Sequence, residues 1–130
     1  MAEPFFLTLA EVIEIHKDQI SRYGGSAGIR DMNLLSSAVA MPYASFGEHF
    51  LHRDIFEMAA AYAFHISQDH LFVDGNKRTA LASALIFLEL NGIGITDKDG
   101  ELYEAMIHLA TGKLDKAAFG SILKRMSLAG

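Results

Sequence analysis

Apolar positions recur on a helical period through most of the chain, and short polar or glycine-containing breaks separate the stretches. Val12, Ile13, Ile15 and Ile20 follow the capping-box pattern Thr8-Leu9-Ala10-Glu11 and stop at Tyr23-Gly24-Gly25, which predicts a first helix over about 8–22. Ser26-Ala27-Gly28-Ile29-Arg30 reads as a turn-rich linker. Asp31 can cap a second helix that carries Leu34, Leu35, Ala38 and Val39 and is broken by Pro42. Asp54-Ile55-Phe56-Glu57 opens another, and from Met58 to Ile66 it is apolar almost all round, as expected of a helix surrounded by others. Residues 76–91 are equally apolar and end at Asn91-Gly92. Beyond a short extended link, Ile93-Gly94-Ile95, two more helices are predicted over about 99–111 and about 115–127, the first carrying Leu102, Met106, Ile107 and Leu109, the second Ala118, Ile122, Leu123 and Met126. The expectation is an all-α, compact, single-domain bundle of about six helices spanning residues 1–130, in which two central helices are joined by the loop that ends at residue 76.

Residues 43–53 fit no period. They gather Tyr43, Phe46, His49, Phe50 and His52 around Gly47. Such a segment reads either as a lid or as a packed connector that buries Phe46 and Phe50.

Composition narrows the class. A chain of 130 residues with 51% hydrophobic content can bury about two-thirds of its unfolded surface without staples. It has no cysteine, so disulfides and thiolate metal sites are excluded, which suits a reducing cytoplasm. Met1-Ala2-Glu3-Pro4 is not a secretory address, and no apolar run reaches the ~18 residues of a membrane span. With a net charge of −5 and cations scattered apart from Lys77-Arg78 and Lys124-Arg125, no basic face is available for nucleic acid. The expectation is a cytoplasmic protein that contacts neither membrane nor nucleic acid.

Polar chemistry is concentrated in His70-Leu71-Phe72-Val73-Asp74-Gly75-Asn76-Lys77-Arg78. This loop empties into the first turn of a helix, where unpaired backbone N–H groups and the positive end of the dipole face any anion. Lys77 and Arg78 add two charges, Asn76 an amide donor, and Gly75 a backbone free to take φ > 0 and approach a ligand. That is a cradle for phosphate. His70 offers a base that titrates near neutrality and Asp74 a hard oxygen ligand for Mg²⁺. On spacing alone, the same residues also make an ordinary helix-to-helix turn, with Asp-Gly-Asn as the bend, Asn76 as a cap, His70 ending one helix and the cations solvated. A Walker loop is excluded, because the glycine four positions before Gly-Lys is missing and no strand precedes it. The pairs His49/His52 and His65/His70 lack the Cys or Glu company of a zinc site, so no histidine metal site is expected.

The run His-x-Phe-x-Asp-Gly-Asn-Lys-Arg-Thr-Ala resembles the signature of the Fic/Doc family, His-Pro-Phe-x-(Asp/Glu)-Gly-Asn-Gly-Arg, and Lys77 in place of the second glycine looks like the Doc, or death-on-curing, branch. The resemblance extends to Ile20-Ser21-Arg22-Tyr23-Gly24-Gly25 and to the Leu-Asn-Gly that ends the following helix. Leu71 departs from the family's proline, a position that shapes the loop. The resemblance implies that His70 is the general base toward a target hydroxyl, that Asp74 holds Mg²⁺, and that Asn76, Arg78 and the helix N-terminus hold the phosphates of the nucleotide, ATP, beside the Gly75 and Lys77 of the cradle. It makes Phe72 the apolar anchor of the loop and places a target-docking flap at 43–53. A lysine at 77 partly fills the pocket that the nucleotidyl-transferring members use for outer phosphates.

The function so implied is that of a toxin in a toxin-antitoxin pair, moving the γ-phosphate of ATP to a Ser or Thr of a translation elongation factor. The alternatives are a Fic-type AMP transferase and a catalytically silent bundle that binds an anion or a partner. No glutamate in the chain is followed by glycine or asparagine, so the self-inhibiting helix of some family members is missing. The resemblance therefore implies a separate antitoxin, whose helix is expected in an apolar groove near the motif, edged by 43–53.

Overall fold

The computed structural model describes residues 3–46, 49–52 and 54–129, and for 45, 46, 49 and 129 the backbone alone. Among them are six helices: α1 Leu9–Tyr23, α2 Met32–Ala40, α3 Ile55–Ser67, α4 Asn76–Leu90, α5 Leu102–Ala110 and α6 Lys116–Ala129. Thr8 and Glu11 close the capping box of α1 as its sequence requires, with Glu11 N–H on Thr8 Oγ1 at 3.1 Å and Thr8 N–H on Glu11 Oε1 at 2.8 Å. Asp31 and Asp54 cap α2 and α3 through the N–H groups of Leu34 and Glu57.

Two sequence expectations shift. The fifth helix starts at Leu102 rather than near 99, because Gly100 takes φ +68 and the Asp97 carboxylate accepts from the N–H groups of Glu101 and Leu102 instead. The 43–53 segment, read as a lid or a packed connector, holds a short hairpin: after a 3-10 turn at Met41–Tyr43, strands β1 (Ser45–Phe46) and β2 (His49–Phe50) pair antiparallel, Ser45 opposite Phe50 and Phe46 opposite His49. Gly47, Glu48 and Arg53 lie outside the described residues, as does the expected burial of the Phe46 side chain. Phe50 packs on Phe6 with ring centroids 5.6 Å apart.

The core forms around α3. Met58, Ala59, Ala60, Ala61, Tyr62, Ala63 and Ile66 are all buried, and the alanines let neighbouring helices come close. Against it α4 buries Ala80, Ala84, Phe87 and Leu88, side chains of a kind whose burial stabilises by roughly 1.5–3 kcal/mol each for the larger ones. The two helices are not equally enclosed, as their sequences suggested: α4 leaves Ile86 and Leu90 exposed, because α1 covers its outer side only in part. On the other flank α6 lies close over the first turn of α3, and Gly120 permits this, since a Cβ there would stand 3.2 Å from the backbone of Phe56 and Glu57. The segment before α1 is tied in at two points. Leu7 N–H donates to the buried Tyr62 hydroxyl at 2.8 Å, and the Asn91 amide exchanges hydrogen bonds with both backbone groups of Phe5. Burial raises the pKa of the Tyr62 hydroxyl.

Candidate active site

The loop between α3 and α4 is held from several directions. At its start, Gln68 Nε2 donates to the Ala110 carbonyl of α5 at 3.1 Å. Asp69 and His70 then both take left-handed backbone conformations, φ 63 and φ 49, which cost non-glycine residues on the order of 1–3 kcal/mol each and persist only where the surroundings impose them. What imposes them is the next pair: Leu71 and Phe72 are buried in the core.

The segment expected to be a mere linker is the loop's partner. Ile29 and Phe72 form an isolated antiparallel bridge, the N–H groups of Arg30 and Asp31 donate to the Leu71 carbonyl at 2.8 and 3.2 Å, and Val73 N–H donates to the Gly28 carbonyl at 3.1 Å. Residues 28–31 thus satisfy loop backbone groups that would otherwise be left without partners.

Gly75, at φ +72, turns the chain into α4 and supplies no side-chain cap. The first intrahelical bond is Thr79 N–H to Gly75 C=O, so the N–H groups of Asn76, Lys77 and Arg78 point forward from the helix end. The Asn76 amide does not cap the helix. Its Oδ1 accepts from Phe72 N–H at 2.9 Å and its Nδ2 donates to Phe72 C=O at 3.0 Å, so it clamps the loop and keeps one N–H of Nδ2 for a ligand.

Asp74 lies at the surface with each carboxylate oxygen accepting one backbone hydrogen bond, Oδ2 from Ser26 N–H at 3.2 Å and Oδ1 from Gly75 N–H at 2.8 Å. Those two bonds, with smaller help from the charges of Arg78 and His16, hold its pKa below the usual carboxylate value. Arg78 reaches back to the end of α1, where Nη2 donates to the Gly24 carbonyl at 3.0 Å and the guanidinium stands 5.9 Å above the Tyr23 ring. Gly25 sits between the two: a Cβ there would be 2.7 Å from Asp74 Oδ2 and 3.3 Å from Arg78 Nη2.

The structure therefore gathers Asp74, Gly75, Asn76, Arg78 and the α4 first turn at one place, with Phe72 buried beneath. His70 and Lys77 are exposed, and among the described residues neither side chain has a hydrogen-bond partner. Sequence reasoning missed His16. It lies on the buried face of α1, stacks on Phe72 with centroids 3.9 Å and planes 7° apart, and its Nε2 is 2.8 Å from the Asp74 carbonyl. Its spacing from Val12 and Ile20 was the available signal, since both mark the inward face.

The other histidines pair differently from their order in sequence. Lys116 Nζ stands 3.3 Å from His52 Nε2 and 3.2 Å from His65 Nε2, where α6 meets the base of the hairpin. Burial, then the Lys116 charge, lowers both histidines' pKa values, that of His65 to about 4. An ammonium only donates, so each ring accepts from Lys116 through Nε2. Among the described residues no group of three His, Cys, Asp or Glu could hold a metal, and no helix is long and apolar enough to cross a membrane.

The sequence model of the Fic/DOC family matches residues 6–88, which span α1 through most of α4 and the whole loop. The chain belongs to the Fic/DOC family. Among its relatives, the protein kinase doc of Escherichia phage P1 is 35% identical over 116 residues, covering 89% of this chain and 90% of its own. The toxin Doc of Mycolicibacterium smegmatis is 41% identical over 71 residues, 55% of each chain. This Fic/DOC chain thus carries the fold expected for it, all-α among the described residues apart from the short hairpin.

Proposed function

We propose that this chain is a Doc-type toxin, a single Fic/Doc-like domain acting in the cytoplasm, which transfers the γ-phosphate of ATP to a Ser or Thr hydroxyl of a translation elongation factor. The observation that carries the reading is the uncapped first turn of α4 with exposed Lys77 upon it: three forward-pointing N–H groups and a full charge stand where a triphosphate would lie. The relative named protein kinase doc, alike over nearly its whole length, supports phosphoryl transfer over other chemistries of the family.

In this reading the phosphates lie on the N–H groups of Asn76, Lys77 and Arg78, with the side chains of Lys77 and Arg78 neutralising charge and Gly75 leaving room for close approach. Asp74 fits a Mg²⁺ ligand, because its carboxylate is exposed, is held ionised and keeps lone pairs beyond the two N–H groups it accepts. Bound there, Mg²⁺ would supply charge neutralisation to the phosphate oxygens. His70 takes the proton of the target hydroxyl; the hydroxyl oxygen forms its bond to the γ-phosphorus as the bond to the β–γ bridging oxygen breaks, and ADP leaves.

The partner that restrains the toxin is a separate antitoxin helix. An apolar hollow of about 350 Å³ runs along α1, lined by Leu7, Ala10, Ile15 and Ile86 and flanked by Glu11 and Glu14. A second, of about 470 Å³, lies between residues 6–9 and α2 and includes Tyr43. Neither is lined by residues 70–78; the hollow along α1, with its two flanking glutamates, suits an amphipathic helix with basic flanks.

Incubating the protein with an elongation factor and ATP labelled at either the α or the γ phosphate tests the reaction. Transfer of γ label alone supports it. Transfer of α label would identify an AMP transferase, and no transfer a silent bundle.

A further inference from the structure

His16 belongs to α1, far from the loop in sequence, yet it is 3% exposed and touches the loop twice. Its ring lies flat on Phe72, and its Nε2 faces the Asp74 carbonyl at 2.8 Å. A carbonyl only accepts, so the ring carries its proton on Nε2. Packing alone does not require this residue: a leucine would fill an inward position of α1 without burying two ring nitrogens, whose desolvation is costly unless a partner is found. The partner found here is the peptide that joins Asp74 to Gly75.

That peptide is a lever. Its carbonyl accepts from His16, and its N–H, that of Gly75, donates to Asp74 Oδ1, while Oδ2 accepts from Ser26 N–H. Fixing the carbonyl fixes the peptide plane, the plane fixes where the Gly75 N–H points, and the carboxylate follows it. We infer that His16 is a positioning residue that sets the direction of the Asp74 carboxylate through its Nε2–H bond to the Asp74 carbonyl. The consequence for turnover rests on the reading of Asp74 as cation ligand given above; the consequence for the carboxylate does not.

Two substitutions separate the bond from the packing. His16→Phe keeps a ring to lie on Phe72 and removes the donor; His16→Gln loses the ring, but its Nε2 has about the reach of the imidazole Nε2. Amide hydrogen exchange of Ser26 and Gly75 in the nucleotide-free protein reads the anchoring of the carboxylate, and γ-phosphate transfer reads its effect on chemistry. In His16→Phe both amides are expected to exchange roughly tenfold faster as their acceptor wanders, and kcat to fall roughly tenfold to hundredfold with the KM for the target unchanged. His16→Gln is expected to restore both towards the wild type. Wild-type exchange in His16→Phe, or equal losses in the two variants, would overturn the inference in favour of simple core packing. Should the wild type transfer no phosphate at all, the kinase reading fails, and the exchange of the two amides still decides the role of His16.

Discussion

Asn76 and Phe72 hold each other in both directions, the amide oxygen on the Phe72 N–H at 2.9 Å and the amide nitrogen on the Phe72 carbonyl at 3.0 Å. An asparagine expected to hold phosphate is thus also the clasp of the loop that presents it. Asn76→Asp keeps the acceptor and turns the donor into a second oxygen facing a carbonyl. We expect a loss of roughly 1–3 kcal/mol in urea unfolding and loss of phosphate transfer. Wild-type stability would show that the clasp is dispensable.

Gly25→Ala should act on the site from outside the motif. Gly25 has φ +115, and a Cβ there would press on Asp74 Oδ2 at 2.7 Å. The expected result is a strain of on the order of 1–3 kcal/mol together with weakened Mn²⁺ binding in the presence of ATP, read by electron paramagnetic resonance. Unchanged metal affinity would mean that the carboxylate can retreat without cost.

The exposed His70 ring has no protein hydrogen bond among the described residues to lose, so His70→Ala should leave the thermal midpoint within a degree or two while lowering transfer by roughly 10²–10⁴. Because a neutral base adds little to ground-state affinity, ATP binding should persist. Activity near that of the wild type would remove His70 from the mechanism.

Lys77→Gly restores the glycine of the nucleotidyl-transferring pattern. Transfer of γ-phosphate should fall, and labelling from α-labelled ATP should become detectable. An unchanged γ rate would show that the lysine does not set the reaction.

The His52–Lys116–His65 contact predicts a pH effect on stability that arises outside the loop. The folded pKa of His65 is lowered to about 4, from an unfolded value near 6.5, so the unfolded chain binds the extra proton between those two values. Stability is then full above about pH 6.5 and declines as pH falls towards 4. His65→Gln, which can accept from Lys116 without titrating, should flatten that decline in urea midpoints measured across the range. An equal slope in both proteins would assign it to other groups.

The helices were legible because their signals are local: Thr8 with Glu11, Asp31, Asp54 and the Asn91-Gly92 end each lie beside the turn they shape. The loop's chemistry was legible as composition, since a base, a carboxylate and two cations crowd into residues 70–78. Its architecture was not. That Ser26 anchors Asp74, that Gly24 receives Arg78 and that His16 lies under Phe72 are contacts between distant stretches, which periodicity does not encode. The pairing of 28–31 with the loop escaped notice for the same reason, because glycine and serine read as a turn unless the partner strand is known. The unequal exposure of α3 and α4 depends on where α1 lies, and two similarly apolar sequences do not reveal it.

The bridge between Ile29 and Phe72 also bears on synthesis. A nascent chain emerges from its N-terminus, and contacts between remote segments form only after the later one is available. The linker waits for the loop, and the loop waits for α4, whose first turn carries the clasp that closes it. Until α4 has been synthesised, therefore, neither the bridge nor the clasp can close, and the uncapped helix end that completes the site does not exist.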